Sequence, residues 1–151
     1  MSVEKGSSAS VSDKKLYIRP DDVETMMFDW GCFKLTSTPE VTGAERFSTG
    51  IVVVDPGKGH ERHNHPGSEE IIYIVSGEGE QMVEDENGNP VIQKVSAGCT
   101  VYVPEGRYHY TINTGWEPMK SFVVYSPTGP EAELRELPDC RIAPPGEIPK
   151  R

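Results

Sequence analysis

Hydrophobic and polar positions along the chain form short runs, some alternating and some continuous, that end at glycine or proline. Residues 46–55 (RFSTGIVVVD) are rich in β-branched side chains, and residues 71–77 (IIYIVSG) form an almost continuous apolar run. Short runs of this kind, bounded by turn residues, are typical of β-strands. Helical spacing of apolar residues is confined to one short stretch, GPEAELREL at 129–137. The pattern therefore predicts an all-β architecture with closely spaced turns.

The turn signals divide the chain into individual elements. Asn87 and Gly88 supply the left-handed residues that a tight turn needs, so residues 78–95 are expected to form a hairpin. A brief helical turn is expected over Asp21–Met27. The apolar run at 71–77 is expected to lie in the barrel core. The remaining predicted strands cover residues 16–19, 27–36, 46–55, 100–103, 108–113 and 120–126.

The chain of 151 residues is long enough for one domain with a single core. Residues 1–14 are rich in serine, glycine and charge and are expected to form a flexible N-terminal arm. Residues 15–126 are assigned to a β-barrel domain whose motifs lie within 46–126. Residues 127–151 are assigned to a C-terminal extension with a short helical turn and a proline-rich tail.

Charge and cysteine content narrow the range of partners and compartments. The formal net charge is −9, and the sequence has no basic stripe that could neutralise phosphates. No nucleic-acid partner is therefore expected. No apolar segment approaches the length of a membrane span, and the N-terminus does not resemble a secretory signal. The three cysteines are an odd number at wide spacings, which predicts reduced thiols and a cytoplasmic location.

Three of the four histidines and one glutamate form a candidate metal site. His63 and His65 are two residues apart, so on a strand both rings would project from the same face. Glu70 and His109 could complete the set, with Glu69 competing with Glu70 as the carboxylate ligand. Imidazole nitrogens combined with a carboxylate oxygen suit a divalent transition metal better than calcium or magnesium.

The histidines belong to two blocks of fixed spacing. The first block consists of Gly57, His63, His65, Glu70 and Gly77. The second block consists of Gly98, Pro104, Gly106, His109 and Asn113. Together the blocks resemble the paired motifs of the cupin superfamily, and the resemblance covers roughly residues 46–126.

The resemblance implies a small single-domain jelly-roll β-barrel with His63, His65, Glu70 and His109 directed into its mouth. It also implies one divalent transition metal per chain: manganese, iron, zinc, nickel, cobalt or copper. Between the two candidate carboxylates, Glu70 has the spacing to Gly77 that the motif requires. Glu70 is therefore expected to be the ligand, and Glu69 is expected to face solvent. Small cupins commonly pair their sheets, so the resemblance further implies a homodimer. In such a dimer, the N-terminal strand of each chain could add to the sheet edge of the other copy.

Family membership constrains the fold and the metal far better than it constrains the reaction. The first hypothesis is a lyase or isomerase acting on a small oxygenated metabolite, such as a sugar acid or a hydroxy- or keto-carboxylate. The candidate acid or base residues are His60, Tyr73, Tyr102 and Tyr110. The second hypothesis is an iron- or nickel-dependent dioxygenase, and the third is a non-catalytic binding or sensing module.

One position departs from the small cupins that cleave dimethylsulfoniopropionate. Those proteins carry a tyrosine two residues after the ligand glutamate, and here that position is Ile72. The tyrosine of this chain comes one residue later, at Tyr73, and a shift of one residue moves it to the opposite strand face. The sequence therefore weakens that particular lyase assignment.

Overall fold

The computed structural model describes residues 14–149 of the chain, so nearly all of the predicted N-terminal arm lies outside the described residues. A single 3-10 turn (Pro20–Asp22) precedes the first strand. The strands of this part of the chain are β1 (Thr25–Phe28), β2 (Gly31–Ser37), β3 (Ser48–Val54), β4 (Gly59–His63), β5 (Glu69–Ser76), β6 (Glu78–Glu84), β7 (Pro90–Ser96), β8 (Thr100–Val103), β9 (His109–Asn113), β10 (Met119–Ser126) and β11 (Arg141–Ala143). The helix α1 (Pro130–Leu134) lies between β10 and β11.

The strands form two antiparallel sheets. Seven strands make one sheet in the order β11-β1-β2-β3-β10-β5-β8, and four make the other in the order β4-β9-β6-β7. The side chains buried between the sheets are mainly aromatic and aliphatic, and they include Phe28, Phe33, Ile74 and Met119. This arrangement confirms the predicted all-β barrel.

The apolar run at 71–77 is exposed on one side, so the prediction that it lies in the core holds for only one of its faces. In β5, Glu70, Ile72 and Ile74 are buried, whereas Ile71 and Tyr73 are exposed. Successive residues of a strand point to opposite faces, and only the inner face of this strand is covered by the second sheet.

The predicted hairpin is confirmed, with β6 and β7 paired along their whole lengths. Gly88 takes a left-handed φ of 84°, but the prediction that Asn87 is also left-handed was wrong, since no described residue other than glycine has a positive φ. The Asp85 carboxylate accepts the N–H groups of Asn87 and Asn89. An aspartate that caps its own turn in this way stabilises the reversal.

The first predicted elements were wrong in position. Residues 16–19 form no strand, and Leu16 and Tyr17 are exposed. The helical turn predicted over Asp21–Met27 is reduced to the 3-10 turn Pro20–Asp22, because strand β1 begins at Thr25 and pairs with β2.

The C-terminal segment returns to the large sheet. Residues Arg141–Ala143 of the expected tail pair with β1 as strand β11. On the way, Leu134 packs into the core, and the Asp139 carboxylate accepts the backbone N–H of Asp29 at 2.9 Å. Residues 137–139 therefore lie beside the loop that joins β1 to β2. Among the described residues, no helix has the length and apolarity to cross a membrane.

Candidate metal centre

His63 and His109 lie opposite each other on neighbouring strands of the small sheet. They are direct partners in the antiparallel pair β4–β9, and their ring centroids are 4.2 Å apart. Directly paired residues of antiparallel strands bring their side chains together on one face. The register of β4 against β9 therefore brings a histidine of the first sequence block next to the histidine of the second.

His65 reaches the same place from a loop. Strand β4 ends at His63, so strand alternation does not orient His65. The backbone carbonyl of His65 instead accepts the N–H groups of Ser68 and Gly106, at 3.1 and 3.3 Å. The side chain of Asn64 also donates to the carbonyl of Gly106, at 3.1 Å. The turn that carries Pro104 and Gly106 therefore holds the loop that presents His65.

Glu70 approaches from the large sheet and completes the cluster. Its Oε1 atom lies 3.1 Å from Nε2 of His109 and 3.4 Å from Nε2 of His65. One nitrogen atom from each of His63, His65 and His109 lies within 4.8 Å of the other two. The cluster thus bridges the two sheets, with the three histidines close enough together to share one ion and Glu70 beside two of them.

Two of the imidazoles are held by backbone carbonyls. The Nδ1–H of His63 donates to the carbonyl of Glu61 at 2.5 Å, and the Nδ1–H of His109 donates to the carbonyl of Arg107 at 3.0 Å. These hydrogen bonds select the tautomer that leaves Nε2 free to bind a metal, as outer contacts do in known metal sites.

Several buried polar atoms of the cluster have no hydrogen-bond partner. They are Nδ1 and Nε2 of His65, Oε1 of Glu70 and Nε2 of His109. Buried polar atoms are normally paired, since leaving one unpaired costs about 1–3 kcal/mol. A cation shared by Nε2 of both histidines and Oε1 of the glutamate would satisfy those three atoms, so the residues fit a metal ion.

The charge state of the cluster also favours a cation. Burial lowers the pKa of His63 to about 2, with the neighbouring His60 adding to the effect, so this imidazole is neutral at ordinary pH. Burial opposes ionisation of Glu70, but His109 and His65 outweigh it and lower the pKa of this carboxyl below its usual value. A neutral His63 imidazole and an ionised Glu70 carboxylate are the protonation states in which these two side chains bind a metal.

The two neighbouring glutamates have opposite environments. Glu70 is buried in the cluster, whereas Glu69 is exposed on the other face of β5 and accepts a hydrogen bond from the Tyr102 hydroxyl at 2.9 Å. Only Glu70 is therefore within reach of the histidines.

A match over half of the chain decides the family. The cupin-domain model covers residues 50–125. The chain belongs to the cupin family. This confirms the resemblance carried by the two sequence blocks.

The cupin matches several characterised proteins over parts of their lengths. It is 33% identical to oxalate decarboxylase OxdC of Bacillus subtilis over 76 residues, which is 50% of this chain and 20% of that protein. It is 28% identical to the tetracenomycin polyketide synthase protein TcmJ of Streptomyces glaucescens, covering 76% of this chain and 77% of that protein.

Among solved structures, this cupin resembles the oxalate decarboxylase–formate complex of Lactobacillus farciminis. The TM-score is 0.65 at 27% identity, over 78% of this chain and 36% of that one. The chain thus spans about a fifth of the matched Bacillus decarboxylase and about a third of the Lactobacillus one.

His60 lies between the cupin metal centre and a larger cleft. Its ring stacks on His63 at a centroid distance of 4.0 Å and on Trp30 at 4.8 Å. His60 and His63 line both a small inner cavity of about 40 Å³ and an outer cleft of about 680 Å³. Trp30 and residues 137–139 form other walls of the cleft. His60, one of the four predicted acid or base residues, therefore lies directly beside the histidine cluster.

The structure does not bring the three predicted tyrosines to the cluster. Tyr73 and Tyr102 are exposed on the outer face of the large sheet. The Tyr110 hydroxyl donates to Glu80 at 2.8 Å, and Tyr110 alternates with the inward-facing His109 on β9.

A tyrosine that sequence reasoning missed does reach the cluster. Tyr125 is the direct partner of Glu70 in the pair β10–β5, so both side chains point inward. Its buried ring meets His65 edge-on at 5.2 Å, and it lines the inner cavity with Ile72. Burial raises the pKa of Tyr125 well above its usual value, and the charges of Glu70 and Glu131 raise it further. The phenol therefore remains a proton donor. The alternation of buried and exposed residues along β10 is visible in the sequence and could have marked Tyr125 as inward-facing. Its pairing with Glu70 is a tertiary contact, which the sequence does not show.

Acidification should destabilise the metal-free cupin in a way that depends on His60. Burial lowers the pKa of His60 from 6.5 to about 4, so between these pH values the unfolded chain binds a proton that the folded protein does not. The free energy of unfolding therefore falls as the pH is lowered through this window, by about 1.4 kcal/mol per pH unit for one proton. We expect His60→Gln to remove about that much of the slope in urea unfolding measured with a chelator present. An unchanged slope would contradict the buried, neutral state of His60.

Proposed function

We propose that this cupin is a divalent-metal-dependent lyase or isomerase acting on a small oxygenated metabolite, such as a sugar acid or a hydroxy- or keto-carboxylate. The observation that carries the proposal is the cluster of buried, unpaired nitrogen and oxygen atoms beside an open cleft. A buried polar cluster next to a concave cleft is a common arrangement in active sites.

The proposed metal ligands are Nε2 of His63, His65 and His109 together with Oε1 of Glu70. The mixed donor set admits manganese, iron, zinc, nickel, cobalt or copper. When bound, such an ion would supply a Lewis acid for the carboxylate and carbonyl oxygens of the substrate. The protein itself supplies the ligand geometry and a largely dry setting, since His65, Glu70 and His109 are all buried.

The substrate is proposed to approach from the outer cleft. The inner cavity of about 40 Å³ has room for little more than a few waters, whereas the cleft of about 680 Å³ is of the size that binds small molecules. His63 and His60 line both spaces. A metabolite in the cleft would therefore meet the cluster at these two side chains.

His60 and Tyr125 are proposed to handle the proton. The lowered pKa of His60 keeps its imidazole neutral, so it can accept a proton from bound substrate. The raised pKa of Tyr125 keeps its phenol protonated, so it can donate one. The two side chains line the same inner cavity, which has room for a few waters, so Tyr125 would pass its proton toward substrate in the outer cleft through water.

The proposal agrees in reaction class with one of the relatives, because a decarboxylase is a lyase. Its test is elemental analysis of protein purified without added metal, followed by a screen of hydroxy and keto acids and sugar acids under air and under nitrogen. We expect a stoichiometric divalent metal and a turnover that survives the removal of oxygen, disappears with a chelator and returns with metal. Turnover that stops under nitrogen would instead identify a dioxygenase. Tight binding without turnover would identify a sensing module.

A further inference from the structure

Four rings form a continuous stack that runs from the core to the candidate metal centre. In order they belong to Phe28, Trp30, His60 and His63, and successive ring centroids are 4.9, 4.8 and 4.0 Å apart. Successive ring planes differ by 2°, 17° and 25°, so each contact is face to face. Two rings stacked on the same face would collide, so Trp30 and His63 cover opposite faces of His60.

A β-bulge turns His60 and His63 to the same side of strand β4. His60 pairs with Thr111 and His63 pairs with His109, so three steps along β4 match two steps along β9. Residues three apart on a regular strand would point to opposite faces, and the extra residue of a bulge removes that difference. The bulge therefore brings His60 to the cluster, but it does not fix the orientation of the ring.

Trp30 gives the His60 ring a rigid surface to pack on. Strand β4 lies at the edge of the small sheet, whereas Trp30 lies in the turn that joins β1 to β2 of the large sheet. Trp30 is only 8% exposed and stacks on Phe28, which is fully buried. Its backbone carbonyl also accepts the N–H of Asp55 at 2.9 Å. The indole is thus fixed by the large sheet.

The indole of Trp30 is not available as a stacking platform for a substrate, although Trp30 lines the outer cleft. One of its faces packs on Phe28 and the other packs on His60. Aromatic side chains that bind planar ligands or sugars offer a free face, which Trp30 does not have. The contact that Trp30 makes toward the candidate site is therefore the one with His60.

We propose that Trp30 is a positioning residue that acts through His60. The nitrogen atoms of an imidazole lie at the edge of the ring, so covering both faces of His60 holds the ring still and leaves its edge free. That edge borders both the inner cavity and the outer cleft, which His60 lines. A proton acceptor that is already oriented spares the reaction the entropy of ordering it. The inference rests on the proposed role of His60 in proton transfer.

The first test is the chemical shift of the His60 ring protons in the full chain, measured with a chelator present. Protons held against the faces of aromatic rings resonate upfield, so we expect the His60 signals, identified by their loss in His60→Gln, upfield of the usual imidazole positions. The upfield shift should shrink in Trp30→Leu, which removes the flat face, and should largely return in Trp30→Phe. Methyl signals of Ile74, which is fully buried, report whether each variant is folded. His60 signals at the usual positions in the natural protein, or an unchanged shift in a folded Trp30→Leu, would overturn the proposal.

The second test is turnover of the metabolite identified by the screen. Trp30→Leu should lower kcat by about 10–100-fold while metal content is retained, the range for residues that orient a functional side chain. Trp30→Phe should recover most of the loss. Since Trp30 acts through His60, the double variant Trp30→Leu/His60→Gln should be no slower than His60→Gln alone. Losses that add in the double variant would show that Trp30 acts on the substrate directly, contrary to the proposal.

Trp116→Leu is the matched control. Trp116 is the other tryptophan of the chain, and it is 86% exposed on the loop that joins β9 to β10. The substitution should change neither the His60 signals nor kcat. A protein that turns over no metabolite would refute the proposed function, whereas the chemical shifts would still decide whether Trp30 positions His60.

Discussion

Replacing His65 with alanine is expected to weaken metal binding strongly in protein purified without added metal. His65 is 7% exposed, its Nε2 lies 3.4 Å from Oε1 of Glu70, and its ring nitrogens have no hydrogen-bond partner. The substitution removes one of four proposed ligands and opens the cluster to water. Loss of a residue that merely orients a ligand costs 10–100-fold in metal affinity, so loss of a ligand should cost more than about 100-fold. Elemental analysis measures the result, and full occupancy in His65→Ala would contradict the assignment.

The adjacent glutamates give this experiment an internal control. Glu70→Gln should lose metal clearly, because a neutral amide replaces the ionised carboxylate beside His65 and His109. Glu69→Gln should keep near-normal metal content, since Glu69 is exposed and bonds Tyr102 on the opposite strand face. The two variants change the same group at neighbouring positions. The reverse outcome would move the ligand to Glu69.

Turnover should fall by about 10²–10⁴-fold in His60→Gln and in Tyr125→Phe while metal content is retained, the range for loss of a general acid or base. His60 touches the cluster by stacking on His63, and Tyr125 faces Glu70 across β10 and β5. Phenylalanine keeps the ring that packs on His65 and removes only the hydroxyl. The measurement uses the metabolite identified by the screen.

Tyr110→Phe is the matched control for Tyr125→Phe, because the Tyr110 hydroxyl bonds Glu80 away from the cluster. Its turnover should be unchanged. The pH profile separates proton transfer from simple packing: the acidic limb of turnover should disappear in His60→Gln. Unchanged turnover in both His60→Gln and Tyr125→Phe would exclude them as the proton-carrying groups.

The sequence was sufficient to predict the fold class and the residues of the cluster. Glycines and prolines at turns, together with β-branched runs, predicted the barrel, because turn geometry and strand periodicity are local properties. The spacings of the two blocks singled out His63, His65, Glu70 and His109, which the structure places together. Local rules also predicted the hairpin at Asn87 and Gly88.

The sequence was insufficient where the outcome depended on which surface covers a strand. The run at 71–77 is apolar on both faces, yet only one face is covered by the second sheet. Tyr73 and Tyr102 were therefore candidates for the cluster although they face outward, and Tyr125 was overlooked although it faces inward. Periodicity shows which residues share a face, but it does not show which way that face points.

The sequence by itself determined the ligand types, their spacing and the turns around them, because these depend on covalent order and local backbone conformation. Only the tertiary structure decided how they meet. The pairing of β4 with β9 sets His63 against His109, hydrogen bonds to the turn at Gly106 present His65, and the opposite sheet supplies Glu70. Contacts between residues 39 to 46 positions apart depend on sheet register and packing, which no local pattern encodes. The same register left an apolar patch on the outer face of β5 and gave Tyr125 its place beside the candidate metal ligands.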